Sequence, residues 1–125
     1  MNNFEANEKV LDLFYHKFFK IINLKSGKKY IAKVHKLNFV KYQSQIISSL
    51  ISEVDISTRL CHHSILQNIG FSLTNFKNKP KPVIISEYSS YFALNQLQDF
   101  NDTEKLIILY GIASGMSYLH FHNII

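Results

Sequence analysis

Lys33 and Glu53 are the two residues of this chain whose types and positions suggest chemistry. Lys33 stands in a short apolar strand, Tyr30-Ile31-Ala32-Lys33-Val34, and Glu53 follows within a helix-forming stretch. At about 100° per residue, Leu60, Ile46, Leu50 and Val54 make one stripe of that helix, and Glu53 projects from its centre. A carboxylate on an apolar face is costly unless it is paired. Lys33 is the natural partner, because the preceding strand is expected to pack on the same core. A buried ion pair is therefore expected. Such a pair either serves a site or only fixes how the helix docks, and the two residues alone leave both readings open. Removing one partner of a buried pair costs about 3–5 kcal/mol, so Glu53→Ala is expected to impair folding.

The elements that must position this pair read as follows. Residues 1–9 are polar and are expected to be flexible. Phe14 to Leu24 and Tyr30 to Leu37 are rich in aromatic and β-branched residues and predict two strands. Lys25-Ser26-Gly27-Lys28-Lys29 predicts the turn of a hairpin, with Gly27 free to take positive φ. A helix is predicted over 43–60, and strands over Ile65 to Leu73 and Val83 to Tyr88. Pro80 and Pro82 break the segment between those strands. Tyr91 to Phe100 predicts a short helix. Asn101-Asp102-Thr103-Glu104 reads as a capping box that starts a long helix reaching about Leu119. Gly111, Ala113 and Gly115 in that helix predict close packing against a neighbour.

Composition narrows the function classes. The chain has 125 residues, enough for one domain or part of a larger one, and its 46% hydrophobic content supports a packed core. The net charge of +5 admits an acidic partner. One cysteine, Cys61, excludes an internal disulfide and fits a reducing compartment. Met1-Asn2-Asn3-Phe4-Glu5 is no signal peptide, and the apolar run Leu106 to Leu119 is shorter than the roughly 20 residues of a membrane span. A cytoplasmic protein without a membrane segment is expected. Cys61-His62-His63 and His120-Phe121-His122 lack the paired ligand spacing of a zinc site, so no metal site is expected.

The order of these pieces resembles the N-terminal lobe of a eukaryotic protein kinase. Tyr30-Ile31-Ala32-Lys33 is similar to the third-strand motif V-A-I-K. Glu53-Val54-Asp55-Ile56 followed by Leu60-Cys61-His62-His63-Ser64-Ile65 resembles helix C and its L-x-H-P-N-I exit. Val83-Ile84-Ile85-Ser86-Glu87-Tyr88 resembles the fifth strand and hinge. Ile112-Ala113-Ser114-Gly115-Met116-Ser117-Tyr118-Leu119-His120, with Asn123-Ile124-Ile125, resembles helix E just before H-R-D. Ile69-Gly70-Phe71-Ser72 is similar to the tyrosine-kinase-like group. The resemblance implies an α+β fold: an antiparallel sheet with helix C, then helices D and E, truncated before the catalytic loop. It places a partial kinase domain over 10–125, with an N-lobe over about 10–88, a hinge over 87–90 and the start of a C-lobe over 91–125.

The resemblance also implies a site. Lys33 would hold the α- and β-phosphates of ATP and Glu53 would orient it. The carbonyl of Glu87 and the N–H and carbonyl of Ser89 would face adenine, and Ser86 would be a small gatekeeper. Three departures follow from the same matching. The glycines of G-x-G-x-x-G fall at Leu11, Leu13 and His16, and Asp12 places negative charge where phosphates would lie. The valine and alanine that roof the adenine become Phe18 and Ile31, which fill part of the slot. No catalytic-loop Asp, metal-binding Asn or D-F-G occurs in these residues; Asp99-Phe100-Asn101 resembles D-F-G only superficially. Magnesium would enter only with a complete C-lobe. The resemblance implies ATP-dependent phosphorylation of protein Ser and Thr as the family function, and these 125 residues alone are expected to be inactive.

Two rival readings are a pseudokinase-like module, binding a protein through helix C or the exposed helix E, and a gene fragment. Self-association through helix E is expected, because Leu106, Ile107, Leu109, Ile112, Met116 and Leu119 would lack partners. A nucleic-acid binder using Lys17, Lys20, Lys25, Lys28, Lys29 and Lys36 is disfavoured, since no aromatic platform interleaves with them.

Overall fold

Side chains alternate between the two faces of a strand, and the segment from Lys29 to His35 uses both. Ala32 and Val34 are buried on one face, while Ile31 and Lys33 point to the other. The computed structural model describes residues 3–13, 15–36, 43–89 and 99–124. Strands β1 (Phe4–Asp12), β2 (His16–Asn23) and β3 (Lys29–His35) precede helix α1 (Gln43–Arg59). Strands β4 (Asn68–Ser72) and β5 (Val83–Glu87) then lead to helix α2 (Asp102–Phe121). The five strands form one sheet in the order β1-β2-β3-β5-β4, and every pairing is antiparallel. This is the α+β architecture expected of a kinase N-lobe. The short helix expected over Tyr91 to Phe100 falls largely on 90–98, outside the described residues.

The β2–β3 hairpin closes through its turn chemistry. The Asn23 side chain accepts hydrogen bonds from the N–H groups of Lys25 (2.9 Å) and Ser26 (3.1 Å), and Gly27 takes φ 70°. That positive φ costs a glycine nothing. The main core lies on one face of the sheet: Ile21, Ala32, Val34, Val83 and Ile85, with Phe4, Phe19, Tyr30 and Phe76 packed against it.

Most of the segment expected to be flexible is strand. Phe4 to Lys9 lie in β1, which pairs with β2 from Phe4–Asn23 to Asp12–Lys17. An edge strand needs one ladder of main-chain bonds and few apolar anchors. Phe4 supplies an anchor by packing edge to face on Tyr30 at 5.7 Å. Its charged side chains and register shifts at Ala6/Glu8 and Lys9/Leu11 are usual at an edge, and they leave no alternation to read.

Helix α1 lies against β4, where the Asn68 side chain donates to Ser57 Oγ at 2.7 Å. Leu50 and Leu60 of the predicted stripe are buried, and Val54 is half-buried. The exit of α1 docks on α2. Cys61 N–H donates to the Tyr118 hydroxyl (3.1 Å), and His62 Nε2 meets Ser114 Oγ (3.2 Å). His62 Nδ1 also accepts from the Ser64 N–H at 3.1 Å. Gly115 is buried here, and a Cβ on it would lie 3.2 Å from Ser64 Cβ. Gly111 also faces Ser64, whereas Ala113 is exposed.

Helix α2 begins at the predicted capping box. Glu104 N–H donates to Asn101 Oδ1 (2.9 Å), and Asn101 N–H donates to Glu104 Oε2 (2.8 Å). It ends in a Schellman motif: Asn123 takes φ 58°, its N–H donates to His120 O and the Ile124 N–H to Leu119 O. No helix among the described residues is long and apolar enough to cross a membrane. Leu106, Ile107, Leu109 and Tyr110 are each 60% exposed or more.

Two outcomes follow. Asn101→Ala removes the side-chain acceptor of the Glu104 N–H, leaving the bond from the residue's own backbone N–H to Glu104, and is expected to cost about 1 kcal/mol, measured by urea unfolding. The exposed face of α2 is expected to drive concentration-dependent self-association, seen as a rising sedimentation coefficient that Leu106→Glu with Tyr110→Glu suppresses.

Candidate functional site

The strand register builds a cleft on the face of the sheet opposite the main core. Phe18 and Ile84 flank Lys33 on the neighbouring strands, and Ser86 lies beside Ile31. Glu53 reaches in from α1, and Ser89 lies beyond the end of β5. The cleft has a volume of about 400 Å³, within the range of small-molecule sites. Lys33, Glu53, Ser86 and Ser89 all line it, as do the bulky Phe18 and Ile31. The structure thus gathers most of the expected site residues in one place.

Lys33 Nζ lies 2.9 Å from Glu53 Oε1, so the expected pair forms. It is not buried. The Lys33 side chain is 28% exposed and that of Glu53 45%. The reason lies in the two faces of β3. The main core is on the Val34 side, whereas Lys33 faces a cleft open to solvent. The large stability penalty expected of a buried pair therefore does not apply, and an exposed pair contributes about 0–1 kcal/mol.

Glu87 is turned away from the lining residues. Its carboxylate accepts from the Gln67 N–H at 2.8 Å and its own N–H donates to Gln67 O at 2.9 Å, which ties the α1 exit to the end of β5. The three positions matched to glycines are also outside the cleft lining. Leu11 is half-buried and Leu13 exposed. His16 Nε2 meets His35 Nε2 at 3.1 Å. The β1–β2 turn is closed by Leu13 N–H to His16 O (2.8 Å) and held to the end of β3 by Lys36 N–H to Tyr15 O (2.9 Å). Asp12 does not oppose the cleft. It pairs with Lys36 and, at 3.2 Å, with Lys9. These ammonium groups hold its carboxyl below the usual carboxylate range.

Sequence reasoning missed the His16–His35 pair. The signal was the hairpin register, which sets the two histidines opposite each other. Burial, then the neighbouring His35 and Lys33, push His16 down to about 4, and burial with Lys33 also lowers His35. Both imidazoles are therefore neutral at pH 7.

Comparison with known proteins points the same way as the fold. The family model described as "Protein tyrosine and serine/threonine kinase" matches residues 18–125. Dual specificity testis-specific protein kinase 2 of Rattus norvegicus is 29% identical over 123 residues, covering 95% of this chain and 20% of the relative. The Homo sapiens protein of the same name is 29% identical over 121 residues, covering 94% of this chain and 19% of the relative. The chain thus spans about a fifth of the length of these relatives.

Two measurements test the site. Glu53→Gln is expected to change unfolding free energy by about 1 kcal/mol or less, measured by urea titration. The histidine pair gives a pH signature. The unfolded chain takes up protons at an imidazole near 6.5, while folded His16 resists until about 4. Stability is then full above pH 6.5 and falls as pH drops toward 4. His16→Phe is expected to flatten that limb in thermal melts, leaving the share owed to His35, which burial and Lys33 also lower, and the loss at lower pH where Asp12 protonates.

Proposed function

The chain belongs to the protein kinase family, and from that premise we propose that it forms the nucleotide-binding part of a kinase acting on protein Ser and Thr. The names of its relatives extend that reading to dual specificity. One observation carries it: the Lys33–Glu53 pair stands at 2.9 Å inside a cleft that also contains Ser86 and Ser89.

Protein kinases as a family bind ATP and magnesium. ATP supplies the phosphoryl group. The residues present fit its charge and shape in part. Lys33 offers an ammonium for phosphate oxygens, and Glu53 fixes its direction by a charge-assisted bond. Being half-exposed, the pair keeps Lys33 reachable from solvent. Main-chain groups of Glu87 and Ser89 are assigned to adenine, with Ser86 as the small gatekeeper. Phe18 and Ile31 narrow the slot between these ends. For magnesium the fit fails. Among the described residues no three His, Cys, Asp or Glu side chains come together. Glu53 is the only carboxylate among the lining residues, and it is committed to Lys33. No metal-dependent step is assigned to these residues.

A second reading, a pseudokinase-like module that binds protein, is favoured by one observation. The β1–β2 turn is tied to the end of β3 through Lys36–Tyr15 and His16–His35, and none of its described residues lines the cleft. Helix α2, with its exposed apolar face, is the assigned contact surface in that reading.

Titration of the purified chain with a fluorescent ATP analogue separates the two. On the first reading binding is saturable, Lys33→Met abolishes it, and Phe18→Val with Ile31→Ala tightens it about tenfold, equivalent to about 1.4 kcal/mol. Absence of binding in both wild type and the enlarged double variant would leave the second reading. In either case these 125 residues alone are expected to transfer no phosphate above the Lys33→Met background.

A further inference from the structure

The opposite face of the sheet holds a second groove, of about 650 Å³, between the β1–β2 hairpin, the end of β3 and the loop joining β4 to β5. Lys17, Lys36, Lys77, Lys79 and Lys81 line it, with Asp12 as the only acidic residue among the lining residues. Five lysines against one aspartate leave a surplus of four positive charges, most of the net +5 of the whole chain. The net charge is therefore concentrated here, because the other nine Lys and Arg are nearly balanced by the other eight Asp and Glu.

The lysines are not equivalent. Lys36 is paired with Asp12, and Lys81 Nζ donates to Lys36 O at 3.0 Å. Lys17, Lys77 and Lys79 form no ion pair among the described residues. Two of these three sit on a loop that is held in shape from within. Asn75 Oδ1 accepts from the N–H groups of Lys77 (2.9 Å) and Lys79 (3.0 Å), and the Asn75 N–H donates to Lys79 O (2.9 Å). Asn78 takes φ 55°, which asparagine tolerates. The Phe76 ring anchors the loop on Phe19, edge to face at 6.1 Å. The backbone carrying these ammonium groups is thus ordered before any partner arrives, which lowers the cost of binding.

The floor decides the kind of partner. Ala6, Phe19, Val34 and Phe76 give the groove an apolar base beneath its basic rim. A nucleic acid would use the rim but gain little from this floor, since Phe19 and Phe76 pack edge to face on each other and against the main core, not as parallel faces side by side. A peptide with carboxylates on both sides of an apolar side chain uses both. We infer that this groove is a docking site for an acidic peptide segment that carries an apolar residue between its carboxylates. Because Lys33 and Val34 point to opposite faces of β3, the site is separate from the nucleotide cleft and does not depend on it.

The test is fluorescence anisotropy of a labelled heptapeptide of alternating Glu and Leu against the purified chain. Saturable binding that weakens with added salt is expected. Lys77→Glu with Lys79→Glu should weaken it by about tenfold or more. Lys25→Glu with Lys29→Glu, an equal change of charge at the turn end of the β2–β3 hairpin, should leave it nearly unchanged. Circular dichroism and melting temperature should match wild type in both double variants. The inference is overturned if the peptide does not bind, or if the two charge reversals weaken it equally. It is also overturned if a heptapeptide of Glu alone or a single-stranded RNA of the same charge binds as tightly.

Discussion

The alternation of side chains along β3 is the constraint on which the rest of this molecule depends. Pairing with β2 on one side and β5 on the other locks its register, so Val34 and Ala32 face the main core while Lys33 and Ile31 face the cleft. A slip of one residue would exchange the faces. It would bury an ammonium among Ile21, Val83 and Ile85 and expose the core. The apolar cluster on one face thereby fixes where Lys33 must be on the other.

This division explains why the ion pair is half-exposed. A fully buried Lys–Glu pair would suffer heavy desolvation that its Coulombic attraction seldom repays in full. At the mouth of a cleft, both groups keep part of their hydration and still meet at 2.9 Å. The pair therefore contributes little to holding α1. That helix is held instead by buried Leu50 and Leu60, by Asn68–Ser57 and by the docking of its exit on α2.

The β1–β2 turn is shaped by its side chains. Without glycines at 11, 13 and 16, the turn takes contacts that side chains allow. His16 meets His35, and Asp12 meets Lys36 and Lys9. These contacts draw the turn to the end of β3 and turn Asp12 toward the basic groove. The described side chains of this turn thus stay outside the cleft lining, and Asp12 stands on the rim of the groove.

Much of the fold was legible in the residues themselves. Gly27 and its neighbours marked a hairpin, Asn101 and Glu104 marked the start of α2, and β-branched runs marked β3 and β5. Each of these depends on contacts within a few residues, so local sequence determined it. The Lys33–Glu53 pairing was legible too, because one strand and one helix offered a single sensible match. Strand β1 was not, since an edge strand stabilised by backbone pairing and Phe4–Tyr30 needs no apolar pattern. Nor was the exposure of the ion pair, the His16–His35 contact or the basic groove. Lys17, Lys36 and the lysines at 77, 79 and 81 are far apart in the chain, and only the packing of the β4–β5 loop over the sheet brings them together. Local chemistry determined the elements; the register of β3 and the faces it created decided what each residue meets, because burial depends on neighbours distant in sequence.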